Sequence, residues 1–237
     1  MINVCCVFYG DKYDHKYVQV LYNMIQRHLT IPHKFICFTD HVKLHKIIDG
    51  DIEYREFHHK DYQGWWNKLQ LFSPKANLEG VNFYLDLDVV ILENIDKFIT
   101  FSAEDEFSGT RDFSYPTKGF NSSVMKWNNS VEISRIWHPF IKEKNRLMGK
   151  QGDQDVISEL LTDIVTDKPN LKVKPKPSVK PYPDEWTFSY KWHDRINPRF
   201  DRGKWDFTRL EGASISVFHG KPDPHESDQD WVKNNWK

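Results

Sequence analysis

Apolar runs and an amphipathic segment alternate along the first part of the chain. Ile2 to Tyr9 is a continuous apolar run with β-branched and aromatic residues, which predicts a buried strand that ends at Gly10-Asp11. From Lys16 to Leu29, apolar residues recur at the spacing of a helix with one buried face. Lys34 to Thr39 predicts a second buried strand. Two strands joined through a helix indicate a parallel pair, and so an α/β fold.

A third apolar run, Asn82 to Leu92, contains two carboxylates. It is typical of a buried strand, yet Asp86 and Asp88 lie within it. Residues two apart in a strand point to the same side, so we expect the two carboxylates to project together. A divalent cation would stabilise both and would bind phosphate oxygens. The alternative is that one aspartate caps a turn and the other pairs with a lysine or arginine.

Shorter elements are predicted over the rest of the chain. Helices are predicted at Trp66 to Phe72, Val131 to Asn145 (interrupted by Pro139) and Asp155 to Ile164, and strands at Glu106 to Gly109, Ser122 to Trp127 and Ser214 to Phe218. The proline-rich stretch Asp167 to Pro183 is expected to be a loop or an edge. In an open α/β sheet, ligands bind at the carboxyl ends of the strands, where Gly10, Asp40 and the two aspartates are expected to meet.

Composition narrows the class of protein. The 237 residues fit one domain, and 33 basic against 34 acidic residues argue against a general nucleic-acid binder. The three cysteines lie in apolar runs, as small buried side chains do. The sequence shows neither an apolar stretch of about 18 residues nor a secretory leader pattern, so we expect a soluble, cytoplasmic protein.

Four segments in order resemble a known family. They are FYLDLDVVIL, GFNSSVMKWN from Gly119, GDQDVIS from Gly152 and VFHGKP from Val217. Together they are similar to nucleotide-sugar-dependent glycosyltransferases of the GT-A fold, in the branch of glycogenin and the lipopolysaccharide galactosyltransferases. The resemblance spans most of the chain. It implies one Rossmann-like α/β domain over 1–237, with a mixed, mostly parallel sheet flanked by helices, a nucleotide-binding half at 1–100 and a half for donor sugar and acceptor at 101–237.

The resemblance also implies roles for individual residues. The divalent cation, Mn²⁺ or Mg²⁺, would be bound by Asp86, Asp88 and His219. The donor would be contacted by Tyr9, Asp11, Lys68, Asp86, Ser122 and Lys221, with Lys221 on the diphosphate. Residues implied to act at the reacting sugar are Asn121, Asp153 and Gln154. The partners would be a nucleoside-diphosphate sugar, with uridine as the first choice of base, and a carbohydrate or glycoconjugate acceptor.

Two departures from the family pattern leave alternatives open. Ser123 stands where the family often has glycine, and the loop from His219 to Lys221 is shorter than usual, which makes His225 a rival metal ligand. Lys68 is either a second phosphate ligand or the solvated side of a helix that buries Trp66, Leu69 and Phe72. The pair Arg111-Asp112 either contacts the donor sugar or forms a local ion pair.

The reaction itself has two stereochemical outcomes. Attack from the face opposite the diphosphate needs a general base, for which Asp153 and Asp155 are candidates. Attack from the same face lets the departing phosphate accept the proton, and the resemblance favours this retaining course. Other classes also fit Asp86 and Asp88: a haloacid-dehalogenase-like phosphatase, with Asp86 as nucleophile and Asp88 as acid and base, or a non-catalytic sugar-nucleotide-binding module. The acceptor is not readable, since the aromatic cluster Trp186, Tyr190, Trp192 and Trp205 either stacks on sugar or packs the loops.

Overall fold

The computed structural model describes residues 1–41, 43–44, 47–113, 119–167, 170–176, 178–191 and 210–237, with backbone only over 163–167 and 170–175. In chain order the strands are β1 Ile2–Phe8, β2 His33–Thr39, β3 Ile52–Glu56, β4 Val81–Leu85, β5 Val89–Ile91, β6 Ser108–Arg111, β7 Phe120–Asn128, β8 Thr162–Asp167, β9 Asn170–Pro175, β10 Thr187–Ser189 and β11 Ile215–Val217. The α-helices are α1 Lys16–His28, α2 Asp96–Thr100, α3 Asn129–Glu132, α4 His138–Lys142, α5 Lys144–Leu147, α6 Asp153–Leu161 and α7 Asp230–Asn235. Short 3₁₀ segments lie at Gly64–Phe72, Pro74–Ala76, Asp184–Trp186 and Pro224–Glu226, and a π-helical turn at Ile133–Trp137.

The main sheet is mixed and mostly parallel, as predicted. Its strand order is β3-β2-β1-β4-β7-β6. Strands β3, β2, β1 and β4 are parallel, whereas β7 is antiparallel to both of its neighbours. A smaller sheet has the order β10-β11-β5, and β8 pairs with β9 as a hairpin. The predicted β1-α1-β2 unit is confirmed, with ends within one residue of those expected.

Alternating residues of the strands divide the core into two clusters, one on each face of the sheet. On one face, Val4 and Cys6 of β1 pack in the cluster that contains the apolar side of α1. On the other face, Cys5 and Tyr84 belong to the cluster that covers the Gly64–Phe72 segment and α6. All three cysteines are buried and free, as their apolar surroundings predict. In the described part of the chain, no helix has the length and apolar character needed to cross a membrane.

The single strand expected at Asn82 to Leu92 is wrong, because the chain leaves the main sheet between the two aspartates. The backbone N–H of Asp86 donates to Ser123 at 2.9 Å, and a turn follows at Leu87-Asp88. Strand β5 then pairs with β11 of the smaller sheet. The side chain of Asp86 lies on the same side as that of Tyr84, from whose hydroxyl it accepts a hydrogen bond. Asp88 lies in the turn and contacts Tyr13 instead. The break gives each carboxylate its own compensating groups, which an uninterrupted buried strand would not provide.

Other boundaries also differ from those predicted. The edge strand β3 was not predicted, because its residues are half-buried or exposed and include Glu53 and Arg55. The helix predicted at Trp66 to Phe72 is confirmed as a 3₁₀ helix that begins two residues earlier, at Gly64. The helix expected at Asp155 to Ile164 begins at Asp153 and ends at Leu161, where strand β8 follows. The region Val131 to Asn145 is a series of short helical pieces that starts at Asn129. Part of Asp167 to Pro183 agrees with the expected edge, because β9 pairs with β8 in a two-stranded sheet.

Helix α6 is held against β7 at a glycine. Gly119 has a φ of +157°, and a Cβ atom built there would overlap the side chain of Ser158 on α6. The hydroxyl of Ser158 accepts the backbone N–H of Phe120 at 2.9 Å. We expect Gly119→Ala to lower the free energy of unfolding by about 2–3 kcal/mol, because it adds strain and overlap at once. Urea unfolding measures this loss.

The control for this prediction is Gly80→Ala. Gly80 also has a positive φ, +70°, but no atom lies within 4 Å of the position of an added Cβ. Its substitution therefore isolates the backbone cost, about 1 kcal/mol. Equal losses at the two glycines would show that the contact between Gly119 and Ser158 does not hold α6 in place.

Candidate functional site

A cavity of about 540 Å³ opens at the carboxyl ends of β1 and β4. Its walls come from the β1–α1 loop, the Gly64–Phe72 segment, the turn between β4 and β5, and the starts of β7 and α6. Predicted site residues that line it are Tyr9, Asp11, Lys68, Asp86, Asp88, Asn121, Ser122, Asp153, Gln154 and His219. The sheet topology explains this meeting, since antiparallel β7 begins where parallel β4 ends.

Lys68 joins two carboxylates at the base of the cavity. Its ammonium lies 2.9 Å from Asp86 Oδ1 and 3.1 Å from Asp153 Oδ2, and its side chain is 7% exposed. It also donates to the hydroxyl of Ser122 at 3.0 Å, and that hydroxyl donates to Asp153 Oδ2 at 2.8 Å. The hydroxyl of Tyr84 donates to Asp86 Oδ1 at 2.6 Å. Lys68 is therefore not the solvated side of a helix.

The charges of this network stabilise one another. Burial alone would lower the pKa of Lys68, but Asp153 and Asp86 together raise it above its ordinary value. Burial opposes ionisation of Asp86, yet the charge of Lys68 and the hydroxyl of Tyr84 hold the pKa of Asp86 below its ordinary value. The buried lysine stays protonated and the aspartate stays ionised, which fixes both side chains against the cavity wall.

Asp88 lies in a different environment. The hydroxyl of Tyr13 donates to Asp88 Oδ2 at 2.8 Å, and the ammonium of Lys12 lies 2.5 Å from the same hydroxyl. Burial and the negative charge of Asp86 raise the pKa of Asp88 to about 7, although Lys12 and Tyr13 act in the opposite direction. This buried carboxylate thus carries negative charge that its protein neighbours compensate only in part.

An amide chain runs along another wall of the cavity. The side-chain N–H of Asn121 donates to Gln154 Oε1 at 3.0 Å, and Gln154 donates in turn to Asp112 Oδ2 at 2.5 Å. Asn121 Oδ1 accepts the backbone N–H of Ser123 at 3.0 Å. These bonds hold two neutral amides at the cavity surface, where they can meet hydroxyl groups of a ligand.

Several predicted residues do not line the cavity. The ammonium of Lys221, whose side chain is 71% exposed, pairs with Asp223 at 2.9 Å and with Glu226 at 2.6 Å. His225 is exposed and contacts the hydroxyl of Tyr17 at 2.5 Å. His219 does line the cavity and packs against Phe113. His219 is therefore better placed than its rival to act as a ligand.

The structure places three further residues of the sequence analysis. Arg111 pairs with Asp184 at 2.9 Å and does not line the cavity, whereas Asp112 accepts the amide of Gln154. Of the two aspartates considered as a base, Asp153 lines the cavity and Asp155 does not. Asp40 accepts the backbone N–H of Gly10 at 3.2 Å, so it supports the β1–α1 loop without lining the cavity.

The cavity offers carboxylate oxygens, which suit Mn²⁺ or Mg²⁺, together with the imidazole of His219. Among the described residues, no three side chains of His, Cys, Asp or Glu are grouped closely enough to hold a metal ion. Charge nevertheless favours a cation. The described lining has four aspartates, Asp11, Asp86, Asp88 and Asp153, against the two lysines Lys12 and Lys68. An anionic diphosphate would be repelled unless a divalent cation entered with it.

Comparisons of the structure show where this architecture occurs. An active-site variant of LgtC superposes with a TM-score of 0.63 at 13% identity, over 98% of this chain and 93% of that one. The bifunctional glycosyltransferase WbbM gives 0.66 at 12% identity, over 99% of this chain and 50% of its own. The glycosyltransferase GlyE from Streptococcus pneumoniae gives 0.63 at 16%, over 99% and 63%. The chain has the GT-A glycosyltransferase fold.

These identities establish the fold and nothing finer. The chain spans only about half to two thirds of WbbM and GlyE. No known family profile matches the sequence, and no curated protein matches it either. Activity, donor and acceptor must therefore be argued from the GT-A cavity of this chain.

Sequence reasoning did not place Lys12, Tyr13 and Trp65 among the site residues. Lys12 and Tyr13 follow the first strand in the polar stretch GDKYDHK, whose residue types resemble any surface loop. Trp65 precedes a segment whose apolar residues are typical of core. Only position in the fold could have indicated these residues, because loops at the carboxyl ends of parallel strands carry ligand contacts.

Proposed function

We propose that this protein is a metal-dependent glycosyltransferase that moves a sugar from a uridine-diphosphate sugar to a hydroxyl of a carbohydrate acceptor. The observation that carries the proposal is the convergence of Asp86, Asp88, Asp153, Asn121 and Gln154 on one cavity at the strand ends of a GT-A fold. The four sequence segments similar to the glycogenin and lipopolysaccharide galactosyltransferase branch supply those residues. Their order in the chain supports the same assignment.

The donor would occupy the cavity along its length. Tyr9 and Asp11, on the β1–α1 loop, are proposed to contact the nucleoside, with Asp86 near the ribose. Asn121, Ser122, Asp153 and Gln154 are proposed to contact the transferred sugar, since hydrogen bonds already hold these polar groups at the wall. Lys68 positions two of the carboxylates and leaves the diphosphate to other cations.

The cation, proposed to be Mn²⁺ or Mg²⁺, would be held by Asp86, Asp88 and His219. The net negative lining and the raised pKa of Asp88 support a divalent ion here. A bound cation would neutralise charge on the departing diphosphate. The protein's own contribution is to orient the sugar through Asn121 and Gln154 and to hold the carboxylate of Asp153 beside Lys68.

We propose that transfer retains the configuration of the sugar. The bond from the anomeric carbon to the phosphate oxygen breaks, and a bond to the acceptor oxygen forms on the same face. The acceptor's proton passes to an oxygen of the departing phosphate, so no separate base is required. Asp153 is not required as a base on this course, and its Oδ2 already pairs with Lys68 and accepts the hydroxyl of Ser122.

Turnover of nucleotide sugars tests the proposal. Uridine-diphosphate glucose and galactose and guanosine-diphosphate mannose are incubated with Mn²⁺, and release of the nucleoside diphosphate is measured; the anomeric configuration of any glycoside is read by NMR. The proposal expects Mn²⁺-dependent release from a uridine donor, which Asp153→Asn slows without loss of nucleotide binding, because it alters a proposed contact to the transferred sugar. Binding without turnover would favour the non-catalytic module, and phosphate release from sugar phosphates would favour the phosphatase.

Lys12 is proposed as the protein cation for the diphosphate, in preference to Lys221. Lys12 lines the cavity beside Tyr13 and Asp88, whereas the ammonium of Lys221 already pairs with Asp223 and Glu226. We expect Lys12→Ala to weaken binding of uridine diphosphate about tenfold, and Lys221→Ala to weaken it less than about threefold. Calorimetry with Mn²⁺ measures both variants.

Uridine is the control ligand for this comparison. It lacks phosphate, so its weak binding is expected to be equal in the wild type and in both variants. A larger effect of Lys221→Ala would contradict the assignment. It would mean that the carboxy-terminal loop moves onto the diphosphate, as the resemblance alone implies.

A further inference from the structure

Trp65 is exposed at the rim of the cavity. The large apolar side chains that stand exposed in the described part of the chain are Met1, Ile47, Trp65 and Ile141. Of these, Trp65 alone lines the cavity, and 58% of its surface is accessible. Leaving an indole in water forgoes the stabilisation of burial. Because Trp65 also lines the cavity, its exposed indole is placed to contact a ligand that binds there.

The backbone of Gly152 lies against one part of the Trp65 ring. A Cβ atom built on Gly152 would lie 3.6 Å from Nε1 and 3.7 Å from Cδ1 of Trp65. Gly152 directly precedes Asp153 and Gln154, the residues proposed to contact the transferred sugar. The ring therefore lies next to the sugar end of the site, whereas the proposed nucleoside contacts come from the separate β1–α1 loop.

The polarity of the cavity separates two subsites. The base and one wall of the cavity hold the carboxylate of Asp153 and the amides of Asn121 and Gln154, which suit the hydroxyls of the donor sugar. The rim at Trp65 presents an apolar ring to solvent. A pyranose has a polar edge of hydroxyls and an apolar face of C–H groups, and that face packs well on an indole.

We propose that Trp65 is the platform of an acceptor subsite and stacks on the apolar face of a hexopyranoside. This inference rests on the proposed function, and it names the acceptor class and the residue that selects it. The exposed ring is accessible from solvent at the mouth of the cavity, where an acceptor can reach it.

Saturation-transfer NMR tests the platform with lactose, cellobiose and maltose as probes. Each sugar is titrated into the full chain with and without uridine diphosphate and Mn²⁺. Trp65→Ala is expected to weaken binding of the preferred disaccharide about tenfold, which corresponds to loss of one aromatic stacking contact. Trp65→Phe keeps a ring and is expected to stay within about threefold of the wild type. The affinity for uridine diphosphate is measured in parallel. It is expected to be the same in the wild type, Trp65→Ala and Trp65→Phe.

The control variant is Ile141→Ala, which removes an exposed apolar side chain outside the cavity lining. It is expected to leave disaccharide binding unchanged. Equal binding by the wild type and Trp65→Ala would overturn the proposal, as would the absence of binding to all three sugars in the wild type. Loss of nucleotide affinity in Trp65→Ala would also overturn it and would place the ring on the donor. Trp65-dependent sugar binding in a protein that fails to bind the nucleotide would support the platform and refute the proposed donor.

Discussion

Asp88→Asn is expected to reduce the Mn²⁺-dependent affinity for uridine diphosphate about a hundredfold or more, because it removes a proposed metal ligand. The substitution keeps the size of the side chain and an oxygen that can accept the hydroxyl of Tyr13. It removes only the charge. Isothermal titration calorimetry with and without Mn²⁺ measures the change, and affinity without metal is expected to be equally weak in both proteins.

The same variant is expected to fold at least as well as the wild type. Folding raises the pKa of Asp88 to about 7, because burial and Asp86 oppose its charge. A carboxyl whose pKa is raised by folding costs stability increasingly as the pH rises from its unfolded pKa to its folded pKa, and the full cost is present above the folded value. Asp88→Asn should therefore leave the melting temperature at pH 8 unchanged or higher. A variant that melts earlier and loses nucleotide affinity would show a structural role instead.

Lys68→Met is expected to lower the free energy of unfolding by about 3–5 kcal/mol, since it leaves two buried carboxylates without their shared cation. The ammonium lies within 3.1 Å of both Asp86 and Asp153. Methionine preserves the length of the chain and removes the charge. Urea unfolding at neutral pH measures the loss.

The matched control is Lys60→Met. The ammonium of Lys60 pairs with Glu56 at 2.9 Å, but its side chain is 65% exposed, so we expect a change of less than about 0.5 kcal/mol.

The dependence of unfolding on acid pH provides a second check on the buried network. Folding lowers the pKa of Asp86, so its stabilising contribution is lost as the pH falls through that lowered value. The gap between wild type and Lys68→Met should shrink there, and a gap that is constant with pH would contradict the electrostatic explanation.

The first strands and helix could be predicted because their apolar residues repeat strongly. Strands β1 and β2 are buried, and α1 has one apolar side, so local pattern and tertiary structure agree. Strand β3 could not be predicted in this way. It lies at the edge of the sheet, where few side chains are fully covered, and its sequence IEYRE shows little apolar excess.

The residue types of the site could be predicted, but their pairing could not. The sequence pattern identifies the two aspartates as charges that need compensation. It does not show the turn between them, because the residues that compensate each aspartate are remote in sequence. Lys68 compensates Asp86, and Tyr13 contacts Asp88. The sequence does not decide between the two interpretations of Lys68, because the burial of this side chain depends on how the 3₁₀ segment packs against β4 and α6. Lys221 was expected on the diphosphate because the sequence does not show its ion pairs with Asp223 and Glu226.

The most direct test of the central claim is the calorimetric titration of the wild-type protein with uridine diphosphate, with and without Mn²⁺, beside guanosine diphosphate. The net negative lining of the cavity predicts that the uridine nucleotide binds tightly with Mn²⁺ and at least about a hundredfold more weakly without it. Binding of neither nucleotide, or binding of equal strength in the presence of a chelator, would contradict a metal-dependent nucleotide-sugar site at Asp86 and Asp88.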